Sequence, residues 1–267
     1  MPRRDEPDIA RLYHLHSANV RCRLPDLTVD HDRHPLRFRT YPGAQRLDLP
    51  GRDFNLAVPL GEALDERRSV REFDLQPLPL DLLGRLLHAS YGLRRPGHLI
   101  GQGVAERPAP SAGGLYPLEI YVATHMVVGL PDAIYHYDPR SHALELRRPG
   151  LVHHQLAEMT IGQDMLRQAN LVCIITAIFH RTMWKYGPRG YRYVWLDAGH
   201  VGQNLYLVAG ALGLGSVAIG GFYDAEVNTL LNLPAEEEAI YLFGIGRPAA
   251  PNASTSMDGP PVPSPSG

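Results

Sequence analysis

Apolar residues recur along the chain with two periods, and these periods predict its helices and strands. Apolar side chains three and four residues apart predict an amphipathic helix over 80–90. The same spacing over 192–212 predicts the longest helix, with an apolar stripe running from Val194 through Val201 to Leu212. Shorter helices are predicted over 5–20, 60–67, 151–168 and 224–231.

Runs of apolar and β-branched residues predict the strands. The continuous apolar run LVCIITAIF over 171–179 is typical of a buried central strand. Further strands are predicted over 119–125, 133–138, 143–146, 216–221 and 239–246. Because helices and strands alternate irregularly around a meander of three strands, we predict an α+β fold with a mixed β-sheet and helices on both faces.

Segments without periodicity divide the chain into three predicted regions. Residues 1–58 form a short helix followed by an extended arm, and residues 59–248 form one folded domain. Residues 249–267 are rich in Pro, Ser and Gly, and we expect this tail to be disordered. A glycine- and proline-rich loop over 92–114 interrupts the domain.

Composition excludes several classes of protein. The chain has 267 residues, 44% of them hydrophobic, and a formal net charge of −2, so it lacks the basic character of a nucleic-acid binder. Cys22 and Cys173 match neither a zinc nor a redox spacing, which favours a reducing cytosol. Neither a signal peptide nor a membrane span is visible, so we predict a cytoplasmic protein that contacts no membrane.

One imbalance in composition points to a chemical role. Of the 26 cationic side chains, 25 are arginine, and the one lysine is Lys185. Arginine keeps its proton in proteins whereas lysine can release it, so Lys185 is a candidate for proton transfer. Tyr186 follows it directly and can relay or donate a proton. The alternative is that Lys185 is a chance survivor on a solvated surface.

Two arginine-rich positions suggest an anion site. Arg67, Arg68 and Arg71 flank Ser69, and guanidinium forks together with a serine hydroxyl suit phosphate oxygens. Arg247 follows a predicted strand, at the kind of strand end where ligand-binding groups gather. The alternative is that both are ordinary solvated clusters.

Two small-residue segments could approach a flat ligand closely. The loop over 110–117 contains Pro110, Ser111 and Gly113, and Gly220 and Gly221 end a predicted strand. The alternative in each case is ordinary turn chemistry.

Several common motifs are excluded. Gly213 and Gly215 match a dinucleotide fingerprint by letters, but a helix precedes them and a strand follows, which inverts the required context. We interpret Gly213 and Gly215 as a helix stop instead. The chain has no G-x-S-x-G elbow, no phosphate-binding P-loop and no H-E-x-x-H pair, and we predict no metal site.

In order along the chain, these segments resemble the FMN-dependent nitroreductase superfamily, and within it the SagB-type dehydrogenases, which are azoline oxidases. The resemblance rests on RRSVREF (67–73), PSAGGLYPLEIYV (110–122), MTIGQDM (159–165), the block 185–222 and IYLFGIGRP (240–248), together with YHLHSANVR (13–21). It implies a nitroreductase-like fold, an obligate homodimer and FMN at the dimer interface.

The resemblance also implies roles for the individual residues. Arg67, Ser69, Arg71 and Arg247 are expected to bind the FMN phosphate, with Arg68 contributing its backbone. Pro110, Ser111 and Gly113 are expected near the flavin ring, supplied by the partner subunit. Gly220 and Gly221 correspond to the position whose backbone N–H meets flavin N5, and Gln163 lies near the ring. Lys185 and Tyr186 match the catalytic pair of azoline oxidases.

The resemblance predicts oxidation of a thiazoline or oxazoline in a peptide, ribosomal or carrier-bound, with the enzyme acting alone or beside a cyclodehydratase or synthetase complex. Gly114 and Tyr116 replace the asparagine and glutamine of typical nitroreductases, which favours this branch. The N-terminal segment is too short for a peptide-recognition domain, so we expect a partner to recognise any leader peptide. Two alternatives stay open: an NAD(P)H-dependent nitro- or quinone reductase, and a non-catalytic scaffold of a peptide-modifying complex.

Overall fold

The computed structural model describes residues 8–19, 35–94, 99–100 and 104–250. The prediction of a disordered tail falls almost entirely beyond residue 250 and lies outside these residues. The same is true of the middle of the predicted arm, residues 20–34.

Within the described residues the helices are short, apart from one of 24 residues. They are α1 (Ile9–His16), α2 (Leu60–Asp65), α3 (Leu80–Tyr91), α4 (His153–Glu158), α5 (His180–Tyr186), α6 (Pro188–Ala211) and α7 (Asp224–Leu231). The strands are β1 (Arg46–Asp48), β2 (Leu99–Ile100), β3 (Val104–Ala105), β4 (Leu118–Thr124), β5 (Ala133–Asp138), β6 (Ala143–Pro149), β7 (Leu171–Ala177), β8 (Gly215–Ile219) and β9 (Glu238–Gly246).

The main sheet has seven strands in the order β1-β6-β5-β4-β7-β9-β8. The strand pairings in it are antiparallel, and β2 and β3 form a separate antiparallel hairpin. Parallel pairing, which a mixed sheet requires, is confined to isolated bridges such as Ser69–Ser216 and Leu78–Val127. The prediction of a mixed sheet therefore needs correction to an antiparallel one. The helices α5 and α6 join β7 to β8, which run in the same direction, but β9 lies between these two strands and pairs antiparallel with both.

Helices cover both faces of this sheet, as the sequence predicts. On one face, α3 and α6 pack on alternate residues of the central strands, such as Cys173 and Ile175 of β7. On the other face, α4 and α7 pack on the intervening residues, such as Val172 and Ile174. Strand β7 is buried along its whole length, which confirms it as a central strand.

Most predicted elements are present with bounds shifted by a few residues, but the single helix predicted over 151–168 is wrong. Helix α4 ends at Glu158, and only a 3-10 turn over Asp164–Gln168 follows it. Gly162 between them has φ +69°, a left-handed conformation that breaks a helix. By contrast, Gly213 has φ +70° just after α6, which confirms it as a helix stop. The same prediction is wrong for Gly215, which is the first residue of β8.

The structure adds three elements that the apolar pattern does not predict. Strand β1 lies in the predicted arm and forms one edge of the sheet, where it pairs with β6. The β2–β3 hairpin lies in the loop predicted over 92–114. Helix α5 directly follows β7 and carries Lys185 and Tyr186 at its end. These elements are at most seven residues long, too short to show a period.

In the part of the chain that the structure describes, the helices are too short or too polar to cross a lipid bilayer.

Candidate active site

Lys185 and Tyr186 occupy the last turn of α5, in the crossover that follows the central strand β7. Gly187 has φ +56°, and this conformation lets α6 begin at once with Pro188, a residue suited to the first turn of a helix. Both side chains are half-buried. The Lys185 Nζ lies 5.4 Å from the centre of the Tyr186 ring, which packs edge-on against Tyr193.

The glycine loop lies directly against this pair. Gly113 has φ +62°, and a Cβ built on it would lie 2.6 Å from the Tyr186 hydroxyl oxygen and 3.1 Å from the Lys185 Nζ. A side chain at this position would therefore have to displace the ends of Tyr186 and Lys185. The structure therefore brings together three of the predicted site residues, Gly113, Lys185 and Tyr186, within one chain.

A buried carboxylate that the sequence analysis missed holds this loop. The Ser111 hydroxyl donates to Asp197 Oδ2 on α6 at 2.5 Å, and the Tyr116 N–H donates to Ser111 Oγ at 2.9 Å. Burial raises the pKa of Asp197, an effect that the Ser111 hydroxyl and the Ala112 N–H oppose. Asp197 stands between Val194 and Val201 on the apolar stripe, and that misplaced charge is the signal that could have identified it.

A buried ion network anchors the other end of α5. Arg181, one turn before Lys185, lies 2.6 Å from Glu119 of β4, and Glu119 also contacts His136 at 3.1 Å. Burial disfavours the charged forms of Glu119 and His136. The His136 hydrogen bond and the Arg181 charge nevertheless hold the pKa of Glu119 at about 2, and Glu119 and Glu145 raise that of His136 to about 9. The network fixes the helix that presents the lysine.

The strand-end glycines form a separate group with Gln163. The Ile161 N–H donates to the Gly221 carbonyl at 3.0 Å, and Gln163 Nε2 donates to the Ile161 carbonyl at 3.1 Å. A Cβ on Gly220 would meet no atom within 4 Å, so its backbone faces open space. The loop before β7 thus brings Gln163 beside the glycine pair.

The predicted phosphate ligands gather at one edge of the sheet. Ser69 forms a bridge with Ser216 of β8, and the N–H of the next residue donates to the Ser216 carbonyl at 2.9 Å. The Arg247 carbonyl accepts from the Asp74 N–H at 2.9 Å, which places the strand-end arginine beside the same segment. The side chains of Arg67, Arg68 and Arg71 are exposed.

Arg247 itself carries a buried donor. Its Nε is enclosed by protein but has no hydrogen-bond partner among the described residues. A buried guanidinium N–H without a partner is costly, so it fits an anion as its missing acceptor.

Tyr206 is a second residue that the sequence analysis did not single out. Its hydroxyl lies 2.9 Å from Ser69 Oγ and accepts the Ala218 N–H at 2.8 Å. Its ring lies 5.3 Å below the Arg67 guanidinium. The cavity beside it, about 510 Å³, is lined by Arg67 and Arg68 as well as by Asp65 and Glu66, so its lining carries charges of both signs.

Strand directions place these groups along the sheet. Strands β7 and β8 both run antiparallel to β9, so they run parallel to each other. Helix α5 and Gly220 therefore leave the sheet at the same end. Ser69 and Arg247 lie at the other end of β8, beside Ser216 and beyond Gly246.

A family comparison identifies this arrangement. The model of the nitroreductase family matches residues 64–247, more than half of the chain. The chain belongs to the nitroreductase family. This family is one of oxidoreductases whose members typically bind FMN.

Three known proteins are similar to this chain in sequence. A nitroreductase-family protein of Methanocaldococcus jannaschii is 40% identical over 71% of this chain and 91% of its own length. The trifolitoxin-processing protein TfxB of Rhizobium leguminosarum is 30% identical over 64% of this chain, and the microcin B17-processing protein McbC of Escherichia coli is 28% identical over 60%. This nitroreductase-family chain spans 49% of TfxB and 58% of McbC in those matches.

Solved structures share the fold. A protein from Anabaena variabilis assigned as a nitroreductase superposes with a TM-score of 0.73 at 28% identity, over 93% of this nitroreductase-family chain and 49% of that one. A similar protein from Ralstonia eutropha has a TM-score of 0.66 at 32% identity, over 79% of this chain and 93% of that one. A chain of the E. coli microcin synthetase McbBCD complex, solved with truncated pro-MccB17, has a TM-score of 0.62 at 21% identity over 91% and 92%.

Proposed function

We propose that this protein oxidises a thiazoline or oxazoline ring in a peptide to the aromatic azole, with FMN as its cofactor. The ring loses one proton and one hydride from neighbouring carbons, and O2 is the final electron acceptor. The observation that carries the proposal is the convergence of Lys185 Nζ and Tyr186 Oη on the Gly113 backbone. A nitro- or quinone reductase has no use for a lysine base at that place.

The residues present suit FMN. Arg247 offers a buried donor that has no partner among the described residues, and the segment that its backbone contacts adds the charges of Arg67 and Arg71 and the Ser69 hydroxyl. The open backbone at Gly220–Gly221 leaves room for a flat ring, since a Cβ on Gly220 would meet nothing within 4 Å and one on Gly221 would meet only Ile161 at van der Waals distance. When bound, FMN supplies the hydride acceptor for the oxidation.

The chain's own residues supply the proton chemistry and the geometry. Lys185 accepts the proton that leaves the ring carbon, and the Tyr186 hydroxyl shares in that transfer. The buried Arg181–Glu119 pair holds α5 in place, and Asp197 holds the loop that closes over the pair. Preorganisation of this kind makes a general base effective.

The relatives support a peptide as the substrate, since TfxB and McbC are both named for the processing of peptide products. We also propose that the protein acts as a homodimer with FMN at the subunit interface, where Pro110, Ser111 and Gly113 approach the partner's flavin. A synthetase or cyclodehydratase complex would then deliver the azoline, as the McbBCD assembly suggests.

A second candidate is an NAD(P)H-dependent nitro- or quinone reductase on the same scaffold. The relative from M. jannaschii favours it, because that protein is named as a nitroreductase and is the more similar of the named relatives at 40% identity. This candidate predicts rapid flavin reduction by NADPH and no need for Lys185.

A spectrum of the purified protein, followed by anaerobic titration with NADPH, separates the two candidates. We expect a yellow protein that NADPH does not bleach within seconds and that removes two hydrogens from an azoline-bearing peptide, as seen by mass spectrometry. Rapid bleaching with no effect on the peptide would support the reductase. Product formed equally well without FMN would support the scaffold, and a protein that does not bind FMN would overturn the proposal.

A further inference from the structure

We propose that Tyr206 is a positioning residue for the phosphate of FMN. It orients the Ser69 hydroxyl so that its proton is free for an anion, and it restrains the Arg67 guanidinium. The inference rests on the proposed binding of FMN and goes beyond it, because Tyr206 need not touch the cofactor.

Tyr206 is held rigidly from two sides. It lies in the second half of α6, where its ring packs edge-on against Phe243 of β9 at 5.6 Å. Its hydroxyl oxygen accepts the Ala218 N–H of β8 at 2.8 Å. Helix and sheet together therefore fix both the ring and the oxygen.

Among the described residues, one acceptor is available to the hydroxyl proton of Tyr206. A backbone N–H can only donate, so the tyrosine oxygen is the acceptor toward Ala218. Ser69 Oγ, at 2.9 Å, is the other hydrogen-bond partner of this hydroxyl in the part of the chain that the structure describes. Were Ser69 to donate, the Tyr206 proton would have no described acceptor. We infer that Tyr206 donates to Ser69.

As a consequence, the Ser69 hydroxyl is left as a hydrogen-bond donor without an acceptor among these partners. The Ser69 backbone is fixed by its bridge to Ser216, and its oxygen is fixed by Tyr206. Its own O–H then points away from both and can donate to an anion, such as a phosphate oxygen. An ionised acceptor makes this the stronger kind of hydrogen bond.

The same ring also limits the motion of an arginine. The Arg67 guanidinium lies over the Tyr206 ring at 5.3 Å, within the range of cation–π attraction. Arg67 is otherwise exposed, and a free arginine side chain loses much rotamer freedom when it binds a ligand. Stacking on Tyr206 reduces that loss, since the side chain is already partly ordered.

The test compares FMN with riboflavin, which lacks the phosphate. Bound flavin is removed from the full-length protein, and each flavin is titrated separately while the quenching of its fluorescence is followed. For Tyr206→Phe we expect the Kd for FMN to rise about tenfold, as for loss of a hydrogen bond to a charged group. The Kd for riboflavin should stay unchanged. An unchanged Kd for FMN, or equal rises for both flavins, would overturn the inference.

Ser69→Ala provides the second variant. By itself it should weaken FMN and spare riboflavin, and it remains informative if Tyr206→Phe does not fold. In the Ser69→Ala background, Tyr206→Phe should add little, because the hydroxyl that it orients is already absent. Additive losses would overturn the inference. No azoline is present, so the result is independent of the proposed oxidation, whereas a wild-type protein that binds neither flavin would overturn both.

Discussion

The two regions that this chain would contribute to flavin binding, an arginine end and a lysine end, are built in opposite ways. At the arginine end, Arg67, Ser69 and Arg71 come from one short exposed segment, so the ligand set is almost local in sequence. At the lysine end, Gly113 and the Lys185–Tyr186 pair meet from distant parts of the chain. The arginine end is therefore a local sequence motif on the surface, whereas the lysine end forms only when the chain folds.

The difference extends to what supports each end. Neutral hydroxyls support the arginine end, through Tyr206 and Ser69. Buried charges support the lysine end, through Asp197 and the Arg181–Glu119 pair. An end that only needs to bind can be held by weak and adjustable contacts. An end that must place a base against a reacting carbon needs costly and rigid ones.

The strongest test of this comparison removes the base and keeps the charge. Lys185→Arg should retain FMN but lose about 10²- to 10⁴-fold in turnover of an azoline peptide, because a guanidinium does not accept the ring proton. Turnover is measured by mass spectrometry and FMN content by the visible spectrum. Full activity in this variant would exclude a proton-transfer role at Lys185.

A smaller loss of turnover is expected when a methyl group is placed against Lys185 and Tyr186. Gly113→Ala places a methyl group 2.6 Å from the Tyr186 hydroxyl oxygen and should lower turnover roughly tenfold to 10²-fold. It should also cost about 1–2 kcal/mol in unfolding free energy, because φ is positive there. Gly43→Ala is the matched control: its φ is +84° and its Cβ would meet nothing within 4 Å. Equal losses of turnover in both variants would show that backbone strain alone is responsible.

Substitutions at the arginine end should change only the affinity for FMN. Arg67→Ala should raise the Kd for FMN about tenfold, and excess FMN should restore turnover. Its neighbour Arg68 is equally exposed but is expected to contribute only its backbone, so Arg68→Ala should leave the Kd within about twofold. Flavin fluorescence gives both values. Similar losses at the two positions would indicate a diffuse field of charge instead of a defined ligand.

The smallest expected effect is a dependence of stability on pH. The pKa of His136 is raised to about 9 from 6.5, so the folded state binds its proton more tightly and loses this stabilisation as pH rises through that range. Urea denaturation should show a decrease of about 1 kcal/mol between pH 6.5 and about pH 7.5. His136→Gln should flatten this slope, and the exposed control His154→Gln should retain it. A slope unchanged in His136→Gln would assign it to other groups.

The sequence predicts the elements that have a local signature. Strand β5 and helix α7 match their predicted bounds, because alternation or helical spacing is complete within each segment. Lys185 could be singled out for a different reason, since it is the one lysine among 26 cationic residues. Its position in a helix could not be predicted, because α5 is only seven residues long.

The supporting residues could not be predicted because their partners are remote. Ser111 and Asp197 are 86 residues apart, and Ser69 and Tyr206 are 137 apart. The place of Asp197 on an apolar stripe marks it as unusual, but the sequence around Asp197 or Tyr206 does not indicate which residue either contacts. Only the fold, which brings α6 alongside both loops, shows that a carboxylate and a phenol on one helix support the lysine end and the arginine end.

Helix α6 therefore fixes both the distance and the relative orientation of Asp197 and Tyr206. Asp197 and Tyr206 lie nine residues apart on it, about 13 Å along its axis. Substitutions between them leave that length and angular phase intact, whereas one inserted or deleted residue turns one end by about 100° relative to the other. We expect this stretch of the helix to accept changes of side chain but no change of length, even at exposed positions such as Gln203.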